Sequence, residues 1–326
     1  MNRGFAYGEF WMPSTSKSLV MGCVSHLPAE QFLPFVKSLR ATSYKGRLVL
    51  FGANLSPATI RTLQDYADEL HLVDSDYPRA LGERKIQILS RLRKTRHLGR
   101  VYSLLFRGFC GTGDSSAASV RRRYAEFRLE GLQALRYQHY LSYLVKVGAG
   151  CDYVLVSDVR DVLFQTDPFS KPPERLTMVL EPPEMDFSLR GFNGRWVWRL
   201  YGREGVAALA RKTPSCSGTT VGPRDEMKNY LEIMAREVAA QKWPLGSHDQ
   251  GIHNYLLYRG AFGDTTIQIN GTGSILTVGG MKNLSIGPDG RVYNPDGSLP
   301  AIIHQYDRHT AHAARLRHLL CGEGIA

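Results

Sequence analysis

The first third of the chain alternates short apolar runs with amphipathic segments, and this pattern constrains the fold most strongly. The run 18–24 predicts a buried strand, the stretch 28–42 has apolar residues at helical spacing, and 47–51 predicts a second strand. Strands that alternate with amphipathic helices favour a parallel sheet of the doubly wound type. The expected fold class is therefore α/β.

The pattern continues with a second helix and a third strand. Ser56 predicts a helix cap with Pro57 in the first position, where proline costs no hydrogen bond. This helix is expected to reach about Glu69 and to lead into the strand HLVD. The later predicted elements are, in chain order, a basic helix over 83–107, an Arg/Tyr-rich helix over 120–147, strands YVLVS and LTMVLE, a Trp/Arg-rich segment GRWVWRLYG, the segment CSGTTVG, helices over 223–240 and from about Ser247, hairpin turns at Asp289-Gly290 and Asp296-Gly297, a strand AIIH and a terminal helix.

Composition limits the class of protein. The longest apolar runs are far shorter than the ~20 residues that span a bilayer, and the N-terminus lacks the apolar core of a signal peptide, so a cytosolic protein is expected. Five widely spaced cysteines without a CxxC pair predict reduced thiols. The 41 basic and 30 acidic residues give a formal charge of +11, which suits a polyanion, an anionic membrane surface or a phosphorylated substrate.

The segment YVLVSDVRDVLF places charged residues directly after a predicted buried strand. Ligands of parallel α/β sheets bind at the carboxyl ends of strands, and this is where Asp158, Arg160 and Asp161 lie in the sequence. Carboxylates at such a position suit Mn²⁺ or Mg²⁺ together with the phosphates of a substrate. The alternative is that both aspartates cap the following turn and pair with Arg160.

At this motif the chain resembles the GT-A nucleotide-sugar glycosyltransferases, whose DxD metal motif follows a strand. Alignment on the apolar DVLF tail matches Asp161 to the second aspartate of that motif, whereas alignment on the strand end matches Asp158 to the first. The segment CSGTT resembles the strand of small residues against which the sugar lies, which implies that Ser217, Gly218 and Thr219 shape the sugar pocket.

Three further segments carry the same resemblance. SHDQ resembles the start of the family's DQ helix, which implies that Asp249 and Gln250 enter the site as catalytic residues, with Asp249 as a base or as a carboxylate that orients the sugar. Ser247 and Asp249 could instead simply cap the helix. IIHQYDRH implies a third metal ligand at His304, or a structural histidine, and a phosphate contact for Arg308 or His309. Arg136 and Tyr137, on the helix before the motif, are expected near the nucleotide, while core packing is the alternative for the tyrosine.

Together the motifs predict a single-domain GT-A enzyme. The expected divisions are an N-terminal extension over 1–17, a glycosyltransferase domain over 18–309 with a nucleotide-binding half 18–165 and an acceptor half 166–309, and a C-terminal helix over 310–326. The predicted activity is transfer of a hexose-type sugar from a nucleoside diphosphate to a glycan or lipid-linked hydroxyl, with Mn²⁺ or Mg²⁺. A further expectation is an acceptor platform at Trp196, Trp198 and Tyr201, for which core packing is the alternative. Contact of the basic segment 83–123 with an anionic membrane is also expected, and a solvated helical face is the alternative. The alternatives are a sugar nucleotidyltransferase and a basic nucleic-acid-binding protein; a nucleic-acid partner is not expected.

Overall fold

The computed structural model describes residues 17–73, 105, 132–147, 150–241 and 248–322. In this part of the chain a seven-stranded sheet has the order β3-β2-β1-β4-β7-β6-β8, and a three-stranded sheet has the order β5-β12-β9. The strands are β1 (Ser18–Ser25), β2 (Arg47–Ala53), β3 (Glu69–Leu72), β4 (Tyr153–Asp158), β5 (Val162–Phe164), β6 (Thr177–Leu180), β7 (Ser215–Pro223), β8 (Thr266–Gln268), β9 (Ile275–Thr277), β10 (Ser285–Ile286), β11 (Val292–Tyr293) and β12 (Ile302–His304). The helices are α1 (Ala29–Ala41), α2 (Pro57–Gln64), α3 (Leu132–Val147), α4 (Phe192–Leu209), α5 (Arg224–Ala240), α6 (Asp249–Tyr258) and α7 (Thr310–Cys321).

The first half of the large sheet is parallel. Strands β3, β2, β1 and β4 pair side by side in the same direction, with α1 and α2 in the connections. Cys23 near the end of β1 lies opposite Asp158, the last residue of β4. The strand that precedes the charged motif is thus in the middle of the sheet, and its carboxyl end lies at the edge where parallel α/β sheets bind ligands.

The second half reverses direction at β7. Because β7 runs antiparallel to β4, its first residues lie beside the last residues of β4, and Thr219 pairs with Ser157. Strand β6 is antiparallel to β7, and β8 is parallel to β6. This reversal brings the small residues of CSGTT to the end of the motif strand.

The small sheet adds the third component of the site. Strand β12 pairs antiparallel with β5, and His304 lies opposite Val162. The N–H of Gln305 then donates to the carbonyl oxygen of Asp161 at 2.6 Å, with Gln305 in the left-handed region at φ 63°. The pairing holds the chain after His304 against the Asp158–Asp161 turn.

Apolar side chains from both faces of the large sheet form the core. Successive residues of a strand point to opposite faces, so Met21 of β1 packs against the α3, α5 and α6 side, whereas Val20 packs against the α1 side. Tyr140 and Tyr230 are fully buried on the first side, and Phe35 meets Phe164 on the second with ring centroids 5.1 Å apart. Helices on both faces of a mainly parallel sheet confirm the predicted α/β class.

Several boundaries differ from the predictions. Ser56 caps α2 as expected, accepting from the N–H of Thr59, but the helix ends at Gln64 and Glu69 begins β3. The Trp/Arg-rich segment lies within α4, which has a non-helical residue at Gly202. Asp289-Gly290 joins β10 to β11, whereas no strand follows the turn at Asp296-Gly297 in the described residues before β12.

Some predictions fall outside the described residues. These are the N-terminal extension apart from Lys17, the helix over 83–107 apart from Leu105, the start of the helix predicted over 120–147, the cap at Ser247 and the last four residues of the helix predicted over 310–326. Among the helices that the structure describes, none combines the length and apolar character that crossing a membrane requires.

Candidate active site

Two aspartates and one histidine converge at the carboxyl end of β4. Asp158 ends β4, Asp161 follows in the turn to β5, and His304 ends β12. One potential ligand atom from each residue lies within 4.8 Å of the others. Nε2 of His304 is 3.8 Å from Oδ2 of Asp158 and also 3.8 Å from Oδ1 of Asp161.

The donor atoms of this cluster fit a divalent cation. His304 is 1% exposed, and its Nε2 makes no hydrogen bond although buried polar atoms are normally satisfied. Burial, together with the nearby Asp158, raises the pKa of Asp161, against the opposing effects of His304 and Arg160. A buried, unsatisfied imidazole nitrogen beside two carboxylates is a donor set that Mn²⁺ or Mg²⁺ can use.

Because Gly218 has no side chain, it leaves room for the Asp158–Asp161–His304 cluster. A Cβ atom at this position would lie 2.6 Å from Oδ2 of Asp158 and 2.7 Å from Nε2 of His304. Real Cβ atoms do not approach other atoms so closely, so any side chain here would displace the two groups. The glycine of CSGTT is therefore a steric requirement of the cluster.

Arg136 connects the cluster to α6. Its Nη1 binds Oδ1 of Asp158, and its Nη2 donates to Oδ2 of Asp249 at 2.7 Å and to the carbonyl oxygen of Ser217 at 3.3 Å. Burial disfavours the charge of this guanidinium, but Tyr137 and the two carboxylates outweigh burial and raise the pKa of Arg136. The buried cation thus fixes two carboxylates from different elements, as charge-assisted bonds do.

Asp249 and Gln250 begin α6 and project into the site with different partners. Asp249 is buried and accepts from the hydroxyl of Tyr137 at 2.9 Å as well as from Arg136. The amide of Gln250 donates to Oε1 of Glu181 at 2.9 Å and to Oδ1 of Asn193 at 2.7 Å. The carboxylate of Asp249 is thus engaged by side chains of α3.

The site also contains residues that were not predicted from the sequence, among them Glu181, Asn193 and Cys216. Glu181 follows β6, Asn193 lies in the first turn of α4 and Cys216 is the second residue of β7. Burial raises the pKa of Cys216 well above its usual range, with Glu181 as the next cause. Glu181 could have been identified from the sequence, because it directly follows an apolar run that predicts a strand, as Asp158 does.

An open pocket surrounds these groups. Two exposed arginines, Arg160 and Arg308, line it. The guanidinium of Arg160 is 3.6 Å from a carboxylate oxygen of Asp161 and also 3.6 Å from one of Asp307. The aromatic rings of Phe192 and Trp196 also line it, with centroids 5.9 Å apart. The pocket thus combines exposed arginines, buried carboxylates and an aromatic surface.

The structure places the sequence-predicted residues in two layers. The pocket is lined by Arg136, Asp158, Arg160, Asp161, Ser217, Asp249, Gln250 and Arg308. Tyr137, Gly218, Thr219 and His304 lie behind this lining. Tyr137 is also packed in the core, and Thr219 is fully buried.

The expected aromatic platform is only partly at the pocket. Trp196 lines it, whereas Trp198 and Tyr201 do not. The ring of Tyr201 stacks on Tyr255 with centroids 3.7 Å apart, and its hydroxyl donates to Glu237. Phe192, which was not predicted from the sequence, lies beside Trp196 instead.

Comparison with known proteins finds a similarity in three-dimensional structure. The chain is similar to the crystal structure of an active-site mutant of LgtC, with 13% identity and a TM-score of 0.48 over 94% of this chain and 97% of that chain. No family model and no curated protein matches the sequence.

Proposed function

We propose that this protein is a metal-dependent glycosyltransferase of GT-A type that uses a nucleoside-diphosphate sugar. The observation that supports this most directly is the Asp158–Asp161–His304 cluster, with its buried and unsatisfied Nε2, beside the pocket at the carboxyl end of the motif strand. The parallel order of β3, β2, β1 and β4 supports the resemblance on which the sequence-based prediction depends.

The charged side of the pocket is the proposed site of the donor diphosphate. Asp158, Asp161 and His304 would hold Mn²⁺ or Mg²⁺, and Arg160 and Arg308 would contact the phosphates. The cation supplies Lewis-acid chemistry that stabilises a diphosphate leaving group. Arginine suits this position because its planar donors match phosphate oxygens.

The proposed sugar site lies between β7 and α6. Ser217 and Gly218 present backbone without bulky side chains, while Asp249 and Gln250 supply polar groups. Because Asp249 accepts from both Arg136 and Tyr137, its orientation is fixed. A carboxylate fixed in this way can orient a hydroxyl group of the sugar.

The aromatic side of the pocket is the proposed acceptor site. Phe192 is 65% exposed and lies beside Trp196 at the N-terminal end of α4. Aromatic rings can stack on the apolar faces of sugars, so a glycan or a lipid-linked sugar fits this surface. The basic segment 83–123, which lies outside the described residues, is proposed to bring the enzyme to an anionic membrane.

Thermal-shift measurements test the donor site. UDP, GDP, dTDP and CDP should each be measured with and without Mn²⁺, and we expect at least one nucleotide to raise the melting temperature in a metal-dependent way, since a ligand of the native state stabilises it. Asp161→Asn should abolish the metal-dependent shift. The control Asp264→Asn removes a carboxylate that is 91% exposed and absent from the pocket lining, and it should keep the full shift. No shift with any nucleotide in the unmodified protein would refute the donor site.

A further inference from the structure

We propose that Glu181 is a positioning residue for His304, and that a chain of hydrogen bonds between them fixes which ring nitrogen of the histidine carries the proton. The links of this chain are Gln250 and Cys216. The inference rests on the metal site of the proposed function and assigns a role to three polar groups around it, Glu181, Gln250 and Cys216.

Glu181 sets the direction of the first hydrogen bonds. Its Oε1 accepts from Nε2 of Gln250 at 2.9 Å, and its Oε2 accepts from Nδ2 of Asn193 at 2.8 Å. The other N–H of Gln250 donates to Oδ1 of Asn193 at 2.7 Å. Since a carboxylate accepts but does not donate, both amides must turn their NH₂ groups toward Glu181. The carbonyl oxygen of Gln250 therefore points away from it, toward Cys216.

The second link is the thiol of Cys216, which has a single proton. Sγ lies 3.5 Å from Oε1 of Gln250, and because this oxygen has no proton to give, the thiol donates. The sulfur also receives N–H groups, from Nε2 of Gln305 at 3.9 Å and from the backbone of Gly218. With its proton committed to Gln250, the sulfur can act only as an acceptor toward its remaining neighbour.

That remaining neighbour is Nδ1 of His304, 3.5 Å from Sγ. Nδ1 must then be the protonated nitrogen, and Nε2 carries the lone pair that faces Asp158 and Asp161. A metal-ligating histidine needs its ligating nitrogen free of protons, and a partner on the other nitrogen commonly fixes this tautomer.

The chain opposes the tautomer that the aspartates alone would favour. Nε2 lies 3.8 Å from an oxygen of each of the two carboxylates, so a proton on this nitrogen would be attracted to both and would block the cation. Glu181 and its relay of hydrogen bonds thus keep His304 in the form that can bind a metal.

Binding of Mn²⁺ measured by calorimetry tests the role of Glu181. In Glu181→Gln the new side-chain NH₂ group faces the NH₂ group of either Gln250 or Asn193, and that amide must rotate. We therefore expect Mn²⁺ to bind about 10-fold or more weakly, as is typical when a hydrogen-bond partner of a ligating histidine is lost. The control Glu184→Gln makes the same change of charge at an exposed position three residues later and should bind Mn²⁺ as the unmodified protein does. His304→Ala should lose the site.

A neutral variant separates the hydrogen-bond chain from a loss of negative charge. Cys216→Ala breaks the chain without changing the charge, and it should also weaken Mn²⁺ binding. If Glu181 and Cys216 act through one chain of hydrogen bonds, the double variant Glu181→Gln/Cys216→Ala should lose less Mn²⁺ affinity than the two single variants lose together. Independent effects would add. If Glu181→Gln does not fold, Cys216→Ala still tests the proposal.

The ¹⁵N spectrum of histidine-labelled, metal-free protein measures the tautomer directly. We expect His304, assigned by its loss in His304→Ala, to be protonated on Nδ1, and Glu181→Gln to increase protonation on Nε2. A proton on Nε2 in the unmodified protein, or unchanged tautomer and Mn²⁺ affinity in both variants, would overturn the inference. Failure of the unmodified protein to bind Mn²⁺ would instead refute the metal site, and the tautomer measurement would still decide the role of Glu181.

Discussion

The guanidinium of Arg136 lies 2.7 Å from the carboxylate of Asp249, and both side chains are more than nine-tenths buried. The same guanidinium also binds Asp158, so one cation from α3 compensates two carboxylates that enter the site from β4 and α6. The Asp158–Asp161–His304 cluster and the start of α6 are therefore electrostatically connected.

Removal of this cation should be costly for stability. Arg136→Met leaves Asp249 buried without its cation, and loss of one partner of a buried pair typically costs about 3–5 kcal/mol of the free energy of unfolding. Urea unfolding measures this loss, and Arg136→Met combined with Asp249→Asn should lose less than the sum of the single variants. The control Arg175→Met removes an exposed ion pair with Glu226 and should have little effect. Additive losses would show that the pair is not coupled.

Gly218→Ala should remove metal binding by steric displacement. The new methyl group would overlap with Asp158 and His304, so the Mn²⁺-dependent rise in melting temperature should disappear. Gly191→Ala is the matched control, because a Cβ atom there meets its nearest neighbour at 3.7 Å and φ is −84°. A full Mn²⁺ response in Gly218→Ala would contradict the location of the site.

Asp161→Asn should stabilise the metal-free protein while it abolishes the response to Mn²⁺. Burial of the charged carboxylate beside Asp158 is unfavourable, as the raised pKa of Asp161 indicates, and asparagine has nearly the same shape without the charge. We expect a higher free energy of unfolding at neutral pH without metal, measured by urea unfolding. A less stable metal-free variant would show that the charge of Asp161 is already compensated by its neighbours.

Stability should fall in mild acid because of His253. This residue is fully buried between the hydroxyls of Tyr230 and Ser215, each 3.0 Å from a ring nitrogen, and burial, with a contribution from Arg136, lowers its pKa from 6.5 to about 3. Between these values the unfolded chain binds the proton and the folded chain does not. His253 therefore lowers the free energy of unfolding by up to about 1.4 kcal/mol per pH unit as the pH falls below about 6.5.

Urea unfolding at about pH 7 and about pH 5 measures this dependence. His253→Gln should make stability less dependent on pH than it is in the unmodified protein. The same slope in His253→Gln and in the unmodified protein would mean that other groups cause the acid sensitivity.

Local patterns made much of the sheet predictable. The apolar runs at 18–24, 47–51 and from Tyr153 are strands in the structure, and Ser56 caps its helix, because strand burial and helix capping depend on neighbouring residues. The end of α2 was not predictable to the residue, since Glu69 joins β3 only through pairing with β2. Pairing partners are distant in sequence and leave little local signal.

The sequence by itself determined an α/β class and singled out Asp158 and Asp161, because charged groups that directly follow a buried strand stand out against apolar neighbours, whereas Asp249 and His304 were implied by the resemblance to GT-A glycosyltransferases. Only the tertiary structure brought the carboxylates of 158 and 161 to the imidazole of 304, since that approach depends on β12 pairing with β5. It also brought Cys216 to His304 and Glu181 to Gln250 across separate elements. Hydrogen bonds and steric fit act over a few ångströms in space, whereas Cys216 and His304 are 88 positions apart in the chain and Arg136 and Asp249 are 113 positions apart.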